Sequence, residues 1–323
     1  MKVIYFTFFF TSLICSNVQA KQKYFGAPNQ ITNWIISCTV DKGSIVDNYP
    51  NYIFKTSKNK CSGDKTYKQR AEIVSKKALP PSTKVAYDFQ SDFTFEGDTD
   101  QKFDIFQIHD GRDSCAPPLE VEVQKRGGIR LMADYRLKYD YKEGDKEQCE
   151  RDIIKSKVIN DIKIQKNGKK NKLNVVLIFH GSSNFDVGVF VNDKFVISGR
   201  YAPPQGKGYY KSKYFYFKHG NYSRYKFDYT INSKIKMIKL DKNDSRIKSI
   251  VKSFEAGNSV SLDDIKKALI EKDKLSLCIV KAGLKEGIPE KKLMKSLRKA
   301  KEGKRKHLTK ISTFVMNGNC SIN

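Results

Sequence analysis

Several features are scarce in this chain of 323 residues, and each scarcity narrows what it can be. Acidic side chains are outnumbered, with 35 Asp and Glu against 61 Lys and Arg, a formal net charge of +26. After the first twenty residues no apolar run is long enough for a membrane-spanning helix. No two cysteines form a CxxC pair and none clusters with histidine, which speaks against a zinc site. Neither a metal nor any other cofactor is expected. Helical periodicity is scarce between residues 21 and 240, which excludes a helical body there.

What is present begins with a leader. Lys2 supplies a short positive start, residues 3–15 are apolar, and Val18-Gln-Ala20 reads as a small-residue cleavage site. The expectation is a cleaved secretory signal over 1–20, with the mature chain starting near Lys21. The product would be secreted or periplasmic, without a transmembrane segment, and a monomer. Removing Cys15 leaves Cys38, Cys61, Cys115, Cys149, Cys278 and Cys320. An even number in an exported chain points to disulfides. Sequential pairing, 38 with 61, 115 with 149 and 278 with 320, keeps each bridge local.

The positive excess calls for an anionic partner, unless it only reflects a lysine-rich coding bias. Nucleic acid, an anionic surface or an acidic polymer would each satisfy it. Export removes intracellular nucleic acid from that set and leaves acidic polysaccharide as the natural partner.

Residues 21–240 read as strands. Residues 85–95, 119–123 and 129–137 alternate apolar and polar, as half-buried strands do. Residues 173–179 are more continuously apolar, which marks a central strand. Asn192-Asp193 between two apolar runs reads as the tight turn of a hairpin. This pattern predicts an all-β fold, one large antiparallel sandwich or barrel. The composition changes after Lys239. Ser261 can cap a helix carrying Leu262, Ile265, Ala268 and Leu269, a second segment runs from Leu275 to a stop at Gly283, and Pro289 opens a third carrying Leu293, Leu297 and Ala300. Residues 245–323 are therefore expected to form a small, basic α-helical extension, stapled by Cys278 and Cys320.

Three stretches carry candidate chemistry. Tyr214-Phe-Tyr-Phe-Lys-His-Gly-Asn-Tyr-Ser-Arg224, read with period 2, sets Tyr216, Lys218, Tyr222 and Arg224 on one face and Phe215 and Phe217 on the other. A phenol beside such cations is expected to ionise more easily than usual. Phe103-Asp-Ile-Phe-Gln-Ile-His109 puts Gln107 and His109 on one face, and Gln69-Arg-Ala-Glu-Ile73 does the same for Arg70 and Glu72. Asn221-Tyr222-Ser223 is in addition an N-glycosylation sequon.

In this order, Arg-x-Glu, Gln-Ile-His and Tyr-Phe-Lys-x-Gly-x-Tyr, the set resembles the motifs of the jelly-roll alginate lyases, polysaccharide lyase family 7. More loosely it resembles the glucuronan and heparin lyases. Ile73 and Val74 stand where that family usually has leucine and arginine, and His219 stands where it has a small residue. The resemblance implies a concanavalin-like β-jelly-roll sandwich over 21–240. It further implies a secreted polysaccharide lyase that cleaves a 4-linked uronic-acid polymer, alginate or glucuronan-like, by β-elimination without a metal.

By that resemblance Arg70 and Gln107 neutralise the uronate carboxylate, and His109 takes the C5 proton. Tyr222 protonates the leaving oxygen or, in a syn elimination, serves as base. Lys218 and Arg224 bind substrate, with Tyr216, and Glu72 orients Arg70. In the Gly- and Pro-rich stretch 199–211, Arg200 is expected to meet a carboxylate and Tyr209 and Tyr210 to stack on sugars, with the stretch either a lid over the cleft or an ordinary connecting loop. Two rivals are a non-catalytic jelly roll that binds acidic polysaccharide and an adhesion protein whose basic tail grips an anionic envelope. Binding alone needs no acid and base together, which favours the enzyme.

Overall fold

In the computed structural model of the chain, the described residues are 23–24, 29–38, 41–57, 69–98, 100–112, 115–136, 149–150, 154–203, 210–255, 262–271, 273–285, 288–304, 307–308, 311 and 320. The expected signal segment, Cys61, Tyr209 and Ser261 lie outside them.

In chain order the strands are β1 (Lys23–Tyr24), β2 (Gln30–Ile31), β3 (Trp34–Ile36), β4 (Ile45–Asn48), β5 (Asn51–Lys55), β6 (Gln69–Ser75), β7 (Lys77–Ala78), β8 (Lys84–Gly97), β9 (Phe103–His109) and β10 (Leu119–Val123). They continue with β11 (Ile129–Met132), β12 (Tyr135–Arg136), β13 (Cys149–Glu150), β14 (Lys155–Val158), β15 (Lys170–Gly181), β16 (Asn184–Val191), β17 (Lys194–Tyr201), β18 (Tyr216–Ser223) and β19 (Tyr229–Lys239). Two antiparallel sheets dominate. The smaller has the order β11-β10-β9-β18-β6-β3, and the larger runs β14-β17-β16-β15-β8-β19-β5-β4 with β2 added on β19. Their facing sides bury one core, in which Phe54, Phe89, Phe106 and Phe217 are fully enclosed. This is an all-β jelly-roll sandwich followed by helices.

Local sequence explains the elements. β19 alternates strictly, with Ile231, Ile235 and Met237 inward and Lys234 and Lys236 exposed. Asn192 and Asp193 both take positive φ, 50° and 63°, the turn that joins β16 to β17 with the right twist. β15 is central, flanked by β8 and β16. Its second face is also covered: Val176 packs with Phe190, Leu240 and Ile250.

Ile250 belongs to α1 (Ser245–Glu255), a helix that the sequence reading did not single out. Ile247, Ile250 and Phe254 recur at helical spacing and cover the larger sheet, while Arg246 reaches the fully buried Asp88 at 2.5 Å. Then follow α2 (Leu262–Glu271), α3 (Asp273–Lys285) and α4 (Glu290–Lys301), which share a core of Leu269, Leu275, Ile279, Leu293 and Leu297. Gly283 does not end its helix. Its missing Cβ makes room for Leu293 of α4, which would otherwise sit 2.5 Å away, so the glycine serves close helix packing.

Disulfides join Cys115 to Cys149 and Cys278 to Cys320, two of the three sequential pairs. Cys38 is also disulfide-bonded, and its expected partner lies outside the described residues. No described helix is long and apolar enough to cross a membrane.

His219 fills the core between the sheets, fully buried against Phe54 and Phe89. Its Nδ1 donates to the Ile105 carbonyl at 2.9 Å and its Nε2 accepts from Ser233, also at 2.9 Å. Burial lowers its pKa from 6.5 to about 4. The unfolded chain therefore takes up a proton near pH 6.5 that the folded chain refuses until about pH 4. This contribution to stability is complete above pH 6.5 and is lost as pH falls to about 4, by about 3 kcal/mol. Thermal melts should show that acid limb flattened in His219→Gln. Wild type and variant falling in parallel would overturn the assignment.

Candidate active site

The outer face of the smaller sheet carries a cleft of about 780 Å³. Arg70 of β6, Gln107 and His109 of β9, and Lys218 and Tyr222 of β18 all line it, with Arg224 just beyond β18. The ladder explains the grouping. β18 lies between β6 and β9, so Tyr222 sits opposite Arg70 on one side and Asp104 on the other, while Lys218 faces Gln107 and Tyr216 faces His109.

Two irregularities set this register. Against β9, β18 passes from the His219–Phe106 pair directly to the Tyr222–Asp104 pair. Gly220 and Asn221 are left over on one strand and Ile105 on the other. Gly220 takes φ +140°, and a Cβ there would stand 2.2 Å from the Ala71 carbonyl oxygen. Only glycine fits that approach. The even-numbered side chains of β18 keep the cleft face and Asn221 points the other way, fully buried, so the folded sequon offers no amide to a glycosylating enzyme.

The side chains hold one another. His109 Nε2 donates to Gln107 Oε1 at 2.9 Å, and Gln107 Nε2 donates to Asp104 Oδ2 at 3.2 Å. Because a glutamine oxygen only accepts, the proton of a neutral His109 sits on Nε2 and the lone pair on Nδ1. The Tyr216 ring stacks on the imidazole at 5.1 Å. Burial, then Lys218, Arg70 and Arg112, hold His109 well below the usual imidazole range, so it is neutral at pH 7.

The phenols behave contrary to the expectation from their cationic neighbours. Tyr222 is pushed up, because burial outweighs Arg70, whose guanidinium carbon lies 5.4 Å from the ring centroid. Tyr216 is pushed up as well, chiefly by burial. Both are protonated near neutrality. Glu72 lies beneath the cleft and is 1% exposed. Burial raises its pKa against the lowering influence of Lys218 and Arg70.

Arg200 is elsewhere. It is on β17 in the larger sheet, ion-paired to Asp186 at 2.7 Å and stacked on Phe254 of α1 at 4.5 Å. It does not line the cleft, because the alternation of β17 turns it towards the helix. Tyr210 donates to the Asp110 carbonyl at 3.3 Å and lies under Arg112, which ties this end of the expected lid to the sheet.

The sequence reading missed two groups. Arg112 grips Asp110 through two hydrogen bonds of 2.8 and 2.7 Å, donates to Tyr201 and lines the cleft. Its signal was the Asp-Gly-Arg step directly after His109. Asp104, Glu120 and Glu122 form an acidic wall. The alternation of residues 119–123 was visible, but not that its two glutamates would stand opposite Gln107 and Asp104.

The architecture is thus a jelly-roll sandwich that carries on its smaller sheet a cleft lined by both cationic and acidic side chains. No family model and no curated protein matches the chain. Among solved structures it is similar in fold to an alginate lyase of polysaccharide lyase family 7, with TM-score 0.41, 13% identity, and coverage of 65% of this chain and 96% of that one. The endo-β-1,4-glucuronan lyase from the fungus Trichoderma reesei gives TM-score 0.36 and 10% identity, over 64% of this chain and 87% of that one. An alginate lyase from Pseudomonas aeruginosa gives TM-score 0.36 and 14% identity, over 61% and 86%. The likeness is one of fold.

Proposed function

We propose that this chain is a polysaccharide lyase that cleaves a 4-linked uronic-acid polymer by β-elimination. The observation that carries the reading is a neutral imidazole and a protonated phenol in one cleft with a guanidinium and an ammonium. The disulfides fit a protein working in an oxidising compartment, as an exported enzyme would.

The chemistry requires all four groups. The C5 proton of a uronate is hard to remove because the adjacent carboxylate is already negative. Arg70 and Lys218 offset that charge and the further charge of the enolate. Gln107 Nε2 gives one hydrogen to Asp104 and has a second for the carboxylate. The Nδ1 lone pair of His109 accepts the proton, the C4–O bond breaks, and Tyr222 O–H protonates the departing oxygen. A double bond remains between C4 and C5. Glu72, buried next to Arg70 and Lys218, keeps both from turning away from the cleft.

The test is ultraviolet absorbance of the unsaturated product on alginate blocks, glucuronan and heparin. One polymer should give a steady rise. Its rate should hold as pH falls through the ordinary imidazole range, because His109 binds its proton only well below it. Silence across the panel with binding intact would leave a carbohydrate-binding protein instead. An acid limb centred at the ordinary imidazole pKa would overturn the lowered His109 pKa, and a near wild-type rate in His109→Ala would remove His109 as the base.

A further inference from the structure

The proposed elimination uses the cationic side of the cleft and, beyond the hold of Asp104 on Gln107, gives its acidic wall no task. Asp104 of β9 and Glu120 and Glu122 of β10 line the same cleft. Glu120 stands opposite Gln107 and Glu122 opposite Asp104, so three carboxyls share one patch of sheet. Lys102 offsets Glu122 at 2.9 Å. The other two form no ion pair among the described residues. Asp104 is 6% exposed, and its Oδ1 has no hydrogen-bond partner among the described residues. Glu120 feels Arg224, but burial and the nearby Asp134 and Glu122 outweigh it and push the carboxyl up to about 7. Asp104 is held well above its ordinary range, by burial first and then by Glu120 and Glu122. A cleft built only to gather carboxylates would be weakened by these groups, which repel such a ligand. A cation placed between them would relieve both.

We propose that Asp104 and Glu120 form a subsite for the ammonium group of an amino sugar, so that the preferred polymer joins a 4-linked uronate to a hexosamine with a free amine. The uronate half of this statement rests on the lyase reading; the ammonium half rests on the carboxyls alone. No three carboxylate, imidazole or thiolate groups among the described residues converge as metal ligands, which favours an organic cation. Tyr222 lies opposite Asp104, so the acidic patch begins on the strand next to that of the phenol, about 4.8 Å away from backbone to backbone. That places the amino sugar on the departing side of the broken bond.

The test compares glucuronate–glucosamine tetrasaccharides, N-acetylated and N-deacetylated, binding at pH 7 to full-length Tyr222→Phe protein by calorimetry. The N-deacetylated form should bind about tenfold more tightly, the scale of one partly desolvated charge pair. Adding Glu120→Gln should bring the ratio to about one or below. A merely basic surface orders the two ligands the other way, because the N-acetylated form has the greater negative charge. Equal or tighter binding of the N-acetylated form, or a preference that survives Glu120→Gln, overturns the subsite. Wild-type rates on the same pair judge the lyase reading separately. If neither tetrasaccharide nor any polymer of the panel yields unsaturated product, elimination is wrong, and the binding ratio still decides the subsite.

Discussion

Tyr222→Phe should lower turnover about a thousandfold and leave polymer affinity within a few-fold of wild type. The ring stays, so its packing under Arg70 and its place opposite Asp104 are kept, and only the hydroxyl is lost. That hydroxyl is well suited to be an acid, because burial keeps it protonated at working pH despite the guanidinium nearby. Without it the leaving oxygen departs as an alkoxide or waits for water. Initial rates by product absorbance and affinity by calorimetry separate the two effects. A variant of near wild-type rate would remove Tyr222 from the chemistry, and an equal collapse of affinity would make it a binding residue.

Gly220→Ala should be as damaging to turnover and should also cost about 3 kcal/mol of stability. The added methyl would meet the Ala71 carbonyl oxygen at 2.2 Å, and that oxygen belongs to the neighbouring strand, which cannot turn away as a side chain can. Relief requires β18 to shift against β6. The shift would move Tyr222 away from Arg70 and Lys218 away from Gln107 together, because both lie on the strand that moves. Chemical denaturation and the rate assay should therefore change in concert. A variant with normal stability and rate would show that the bulge has no part in setting the site.

The site was legible in the sequence only to the extent that its strands are regular. Gln107 and His109, two residues apart on β9, share a face as alternation predicts, and so do Tyr216 and Lys218. Asp104 was not legible, because the bulge at Ile105 turns it to the cleft side, against simple alternation. Arg200 was misplaced for a different reason. The Gly- and Pro-rich stretch around it reads as a loop, whereas β17 runs on to Tyr201 and belongs to the sheet that α1 covers.

Ionisation divides in the same way. Residue types beside Tyr222 predicted an acidified phenol, yet desolvation in the cleft exceeds the pull of Arg70. The sequence alone determined that the chain is a mostly antiparallel β fold, with Asn192-Asp193 as a tight turn and with apolar helices after Lys239, because these follow from local periodicity and backbone preference. Tertiary structure alone decided which strands became neighbours and which cations reached the cleft. It also decided that the imidazole would be neutral, the phenol protonated and the facing wall acidic. Those outcomes depend on burial and on distances between side chains far apart in the chain, and no local pattern encodes either.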